Sequence, residues 1–74
     1  MANEHPLLLN RRALQVAIEE QLRLAQQMTV YKVWAELLSR EECDRLARLA
    51  NAEAGRLVQR LVRVQEEIED LKLE

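Results

Sequence analysis

The sequence predicts an all-α fold, a long helical hairpin with helices over about residues 11–38 and 40–73. Its composition is rich in Glu, Arg, Leu, Ala and Gln, which is typical of long helices and coiled coils. A single Gly and a single Pro leave few turn residues. Apolar residues also recur at helical spacing. We therefore expect an antiparallel coiled-coil or four-helix-type bundle, formed by homo-oligomerisation of this hairpin.

The size of the chain is the reason to expect a homo-oligomer. A chain of 74 residues is near the limit at which one hydrophobic core suffices. Cys43 is the only cysteine, so an intrachain disulfide is excluded. His5 is the only histidine, and one His with one Cys does not complete a structural zinc site. Self-association, most simply into a dimer, is the remaining way to bury the 49% of apolar residues.

The first helix is predicted to follow an irregular arm. Residues 1–9 contain Pro6 and show no helical period, whereas Asn10 is a good N-cap for a helix that starts at Arg11. We therefore divide the chain into an N-terminal arm, 1–9, and one helical domain, 10–74. The first apolar stripe consists of Leu14, Ala17, Ile18, Leu22, Ala25 and Met28.

The apolar stripe changes phase after Met28. A second stripe lies on roughly the opposite side of the same helix, and it consists of Val30, Val33, Trp34, Leu37 and Leu38. Either the helix breaks near Thr29 or it continues and buries different faces at its two ends. We favour continuity, because neither Gly nor Pro interrupts the run.

The segment Ser39-Arg40-Glu41-Glu42 matches a capping box, in which Ser39 and Glu42 cap one another's backbone N–H groups. It predicts a helix start and a tight reversal near Leu38–Arg40. A bend without reversal is the alternative.

The second helix carries a heptad-like seam. Nine apolar residues alternate steps of four and three, as in a left-handed coiled coil: Cys43, Ala47, Ala50, Ala54, Leu57, Leu61, Val64, Ile68 and Leu71. We predict that the oligomer interface consists of Ala47, Ala50, Ala54, Leu57, Leu61, Val64, Ile68 and Leu71.

Val58 and Val62 form a second apolar edge, so one edge could close the hairpin while the other joins a second subunit. Gly55 lies off the seam. Three interpretations are open: a tolerated surface residue, a close backbone contact, or a break into a third helix.

Arginines form a stripe on the second helix, namely Arg45, Arg48, Arg56, Arg60 and Arg63. With Glu53, this stretch has a formal charge of about +4, and residues 66–74 reverse it to about −4. The stripe is interpreted first as a solvated face with pairs such as Arg63–Glu66 and Arg63–Glu67. It could also set the register of antiparallel subunits, or bind phosphates of RNA or DNA.

Candidate binding residues for a partner protein are Trp34, Tyr31, Leu7, Leu8 and Leu9. Aromatic rings are enriched at binding hot spots, although Trp34 and Tyr31 also fit a core or dimer interface. No catalytic constellation is found, because no Glu has a His three residues on and Glu19 with Glu20 is typical of a surface pair. Cys43 is predicted to be a small buried residue.

The sequence therefore favours a non-enzymatic helical module for protein–protein interaction, an adaptor, regulator or chaperone-like protein that acts as a homo-oligomer. The alternative is a helical regulator that binds RNA or DNA through the arginine stripe. We expect no cofactor, no metal and no small-molecule ligand. No apolar run reaches membrane-spanning length and the thiol is unpaired, so we also expect no membrane association and a cytoplasmic location.

Overall fold

The computed structural model describes residues 4–30 and 34–74. They form two α-helices, α1 over Pro6–Met28 and α2 over Arg40–Asp70, and contain no strand. The start of α1 packs on the end of α2, so the two helices are antiparallel. The predicted all-α hairpin is confirmed, and the chain reverses rather than bends before Ser39.

The α1 helix begins earlier than the sequence predicted. Pro6 occupies its first turn, where the fixed φ of proline suits a helix and its missing N–H needs no partner. His5 is the N-cap, and its Nδ1 accepts a hydrogen bond from the Leu7 N–H at 3.1 Å. The predicted arm, 1–9, is therefore wrong over residues 6–9, and Asn10 lies inside the helix.

The α1 helix also ends earlier, at Met28, so the favoured continuity to residue 38 is wrong. The hydroxyl of Thr29 donates to the Gln26 carbonyl at 2.6 Å, and the indole N–H of Trp34 donates to the Gln27 carbonyl at 3.1 Å. These bonds satisfy carbonyls of the last turn that a helix end leaves without partners. The apolar stripe changes phase at this break, and two members of the second stripe stay exposed, Val30 at 50% and Leu37 at 77%.

The α2 helix begins with the predicted capping box. Glu42 N–H donates to Ser39 Oγ at 3.1 Å, and Ser39 N–H donates to Glu42 Oε1 at 3.2 Å. The hydrogen bond from the Ser39 backbone lowers the pKa of the Glu42 carboxyl, with further contributions from the Ser39 side chain and the charge of Arg45.

The α2 helix ends in a Schellman motif with lysine in the position that usually holds glycine. Leu73 N–H donates to the Ile68 carbonyl at 3.1 Å, and Lys72 N–H donates to the Glu69 carbonyl at 3.1 Å. Lys72 has φ of 54°, the left-handed conformation. This turn directs Leu73 back onto the core beside Ile68, which is fully buried.

The predicted seam forms the interface between α1 and α2 within one chain. Its buried members are Cys43, Ala50, Ala54, Leu57, Val64 and Ile68, whereas Ala47 and Leu61 are half-buried. Toward the chain ends the core also includes Leu14 of α1, with Leu7, Leu8, Ala17 and Ile18 packed around it. Leu71 is the exception at 58% exposed, because the helix ends there and Leu73 takes the corresponding place.

Replacing Lys72 with glycine should stabilise the hairpin. A side chain in the left-handed region costs roughly 1–2 kcal/mol, and glycine avoids that cost. We therefore expect Lys72→Gly to raise the free energy of unfolding by about 1 kcal/mol in urea titrations at fixed protein concentration. Lys72→Ala is the control, since it removes the charge and keeps the Cβ. An equal gain in both variants would contradict strain at this residue.

The capping box should make stability depend on pH. Because the pKa of Glu42 is lowered in the folded chain, its stabilising effect is complete above the ordinary glutamate pKa of about 4.3. The effect is lost as the pH falls through the lowered value. Glu42→Gln keeps a capping side chain but does not titrate. Urea unfolding from pH 7 to pH 3 should show the wild type more stable at pH 7 and the difference closing in acid. A difference independent of pH would rule out this role of the carboxylate.

Candidate interaction surface

A layer of two helices leaves both of its broad faces uncovered. The molecule measures 50 × 26 × 12 Å, and its radius of gyration is 16.5 Å, where a compact chain of this length has about 11 Å. Its accessible surface is 5955 Å², where a compact globular chain of 8.7 kDa exposes about 4,700 Å². The excess of roughly 1,200 Å² exceeds the area that one partner contributes to a standard protein interface, about 800 Å².

One broad face carries an open groove between the two helices. Its volume is about 380 Å³, and its walls are formed by Gln15, Val58, Leu61, Val62, Gln65, Glu66 and Glu69. Val58 and Val62 are 44% and 52% exposed, one turn apart on α2. Leu22, two turns after Gln15 on α1, is also half-exposed and extends the same stripe. The groove is therefore lined by apolar residues along part of α2 and by polar residues toward the end of that helix.

The second apolar edge of the sequence, Val58 and Val62, is therefore part of this groove. The contributions of Gln15 and Gln65 were missed, because polar residues at helical spacing carry no signal for a surface that forms only when two helices pair. Leu22 was assigned to the α1 stripe, and in the structure it lies at the border of that stripe, facing outward.

A polar network closes one end of this face. The guanidinium of Arg11 donates to Gln65 Oε1 at 3.0 Å and forms an ion pair with Glu74. The hydrogen bond from Arg11 lowers the pKa of the Glu74 carboxyl, and the charge of Arg11 lowers it further. The network ties residues after the end of α2 to the second turn of α1.

Gly55 lies one turn before Val58 on the same edge of α2. A Cβ added to Gly55 would meet no atom within 4 Å. Glycine in a helix interior costs about 1 kcal/mol relative to alanine. The hairpin itself therefore contains no close approach that requires glycine here, and α2 continues through Gly55 without a break.

The predicted partner-binding residues fall in different environments. Leu7 and Leu8 are half-buried and pack on the core, and Leu9 is half-exposed on α1. Trp34 is half-buried, with its indole N–H bonded to the end of α1. Tyr31 lies outside the described residues. Of the described residues, Leu7, Leu8 and Leu9 therefore lie at the start of α1 and Trp34 lies at its other end.

The arginine stripe lies on solvent-exposed positions of α2. Arg56 forms an ion pair with Glu53 through Nη2 at 2.6 Å. The pairs expected between Arg63 and Glu66 or Glu67 are not formed, and within the described ranges Arg48, Arg60 and Arg63 make no ion pair. The middle of α2 therefore presents guanidinium groups to solvent.

The described residues contain no group of three His, Cys, Asp or Glu that could hold a metal ion. Cys43 is buried, with 1% of its surface exposed. Neither α1 nor α2 is long and apolar enough to cross a membrane.

Comparisons with protein-family models, with curated proteins and with solved structures find no match to this chain.

Proposed function

We propose that the protein is a non-enzymatic helical module for protein–protein interaction, of the adaptor, regulator or chaperone-like kind, and that it acts as a homo-oligomer, most simply a dimer. The observation that supports this most directly is the uncovered groove between α1 and α2, whose apolar lining consists of Val58, Leu61 and Val62, on a layer only 12 Å thick. Exposed apolar surface of this kind is typical of interaction sites.

The free energy gained by burying apolar surface favours self-association of the hairpin. Burial of apolar surface contributes roughly 25 cal/mol per Å². Covering a few hundred Å² of apolar area on each of two chains is therefore worth on the order of 10 kcal/mol before the entropic cost of association. The 74 residues offer no disulfide to stabilise a lone hairpin.

The oligomeric mass tests this proposal. Sedimentation equilibrium or light scattering at micromolar concentration should give a mass of at least twice the 8.7 kDa of one chain. The midpoint of thermal unfolding should also rise with protein concentration, because association stabilises the folded state by mass action. A stable, folded monomer at these concentrations, with an unfolding midpoint independent of protein concentration, would contradict the proposal.

A second candidate function is binding of RNA or DNA through the arginine stripe. It is favoured by the exposure of Arg48, Arg60 and Arg63, whose guanidinium groups make no ion pair within the residues that the structure describes. Guanidinium groups bind phosphate oxygens in a bidentate manner. The acidic residues that follow the stripe and the net charge of −2 act against it.

Salt dependence separates this candidate from the first. If the stripe binds phosphates, retention on an RNA column should fall steeply with salt, with a slope set by the number of phosphates neutralised. Arg60→Glu should then reduce retention at least several-fold and leave the helical content unchanged. Arg23→Glu, the same charge change on an exposed position of α1, is the matched control. Equal effects of the two variants, or no retention of the wild type, would exclude a specific role of the stripe.

A further inference from the structure

We propose that the edge of α2 formed by Gly55, Val58 and Val62, here named the second edge, packs antiparallel against the second edge of another copy of this chain. In this pairing α2 lies on α2, Gly55 faces Val62 of the second copy, and Arg48 approaches Glu69 of the second copy. The inference rests on the proposed homo-oligomer and adds which surface pairs, in which direction and in which register.

The distribution of charge along α2 selects this edge. Between Arg48 and Glu66, the positions that follow one another at steps of three or four along the second edge are Asn51, Gly55, Val58 and Val62, none of them charged. On the other side of the seam Leu46 and Leu49 are exposed too, but the positions that follow them include Glu53, Arg60 and Glu67. Desolvating unpaired charges is costly, whereas a row of neutral and apolar residues can be buried.

The ends of the second edge determine its direction. One end carries Arg48, and the other carries Glu66 and Glu69, which line the groove. In a parallel pair, Glu66 and Glu69 would face the same carboxylates of the second copy. In an antiparallel pair, they meet the basic end instead, so that each chain contributes one attractive contact at each end.

Gly55 sets the register. The hairpin does not need glycine there, because a Cβ would meet no atom within 4 Å. Opposite Val62 of a second copy, the absence of a side chain leaves space for the valine and lets the two helices approach closely. The same register places Arg48 opposite Glu69, since both pairs of residues are related by one two-fold axis near Val58. Small and large residues thus alternate across the contact, as in well-packed helix interfaces.

The available area matches what a dimer needs. A face of 50 × 26 Å covers on the order of 1,300 Å², and a standard dimer buries about 800 Å² per partner. Leu22, half-exposed on α1, lies on the same face and would be covered as well. The product is a four-helix arrangement with two hairpins stacked face to face.

Two leucine substitutions test the surface. Gly55→Leu improves helix propensity within the chain but places a large side chain at the proposed contact. Its dimer dissociation constant should rise at least tenfold by sedimentation equilibrium, with helical circular dichroism retained at high concentration. Ala13→Leu, at an exposed position on the opposite side of α1 from the groove residue Gln15, is the control and should leave the constant within about twofold. An unchanged or tighter Gly55→Leu dimer would overturn the proposal.

Disulfide trapping tests direction and register in the Cys43→Ala background. A mixture of Gly55→Cys and Val62→Cys chains should yield a disulfide-linked heterodimer under mild oxidation, since only residues with Cα atoms within about 7 Å can be bridged. Glu69→Cys alone should not cross-link with itself, because antiparallel pairing places its two copies far apart. Efficient Glu69→Cys homodimers would show a parallel pair and overturn the inference.

These results separate two kinds of failure. A monomeric wild type removes the proposed homo-oligomer and this inference with it. A wild-type oligomer that tolerates Gly55→Leu, and in which Gly55→Cys and Val62→Cys do not cross-link, leaves the homo-oligomer standing and refutes only the second edge as its interface.

Discussion

The packing of the α2 seam against α1 is the interaction on which the rest of this structure depends. It buries Ile68, Val64 and Leu57 against Leu14, and it brings the start of α1 and the end of α2 together. In proteins most helical stability comes from the packing of an amphipathic face, so this contact is the main source of stability for both helices. The way in which each helix starts or ends also serves this contact. Pro6 starts α1 early enough for Leu7 to reach the core, and the left-handed Lys72 returns Leu73 to it.

This core uses only one side of each helix, and the consequence is an exposed remainder. A two-helix layer has no third element to cover its broad faces, which explains the large accessible surface for a chain of this mass. The two sides of α2 differ in how they meet water. One side holds the exposed Leu46 and Leu49 followed by charged residues such as Glu53 and Arg60, while the other holds Val58 and Val62. Apolar surface is therefore exposed on both sides of α2, and the groove lies on the side that carries Val58 and Val62.

The seam, the capping box and the hairpin could all be predicted, because each depends on residues a few positions apart in one helix. The capping box requires only Ser39 and Glu42, three residues apart. The limits of α1 could not be predicted in the same way. Continuation past Met28 has little intrinsic cost, so the outcome depended on whether a second neighbour existed for the rotated stripe. The candidate site could be predicted only in part. The sequence showed Val58 and Val62 as an apolar edge, but the groove also requires Gln15 from the other helix.

By itself, the sequence determined that this protein is helical, where α2 begins and which of its residues avoid water. These properties follow from local spacing, propensity and capping, which act within one turn or a few. Only the tertiary structure decided what the seam contacts. A heptad pattern specifies a neighbouring helix without saying whether that helix belongs to the same chain or to another. The reversal before Ser39 resolves this, because it places α1 beside α2 at a far higher effective concentration than any second copy. The seam is thereby filled from within, and the second edge remains uncovered.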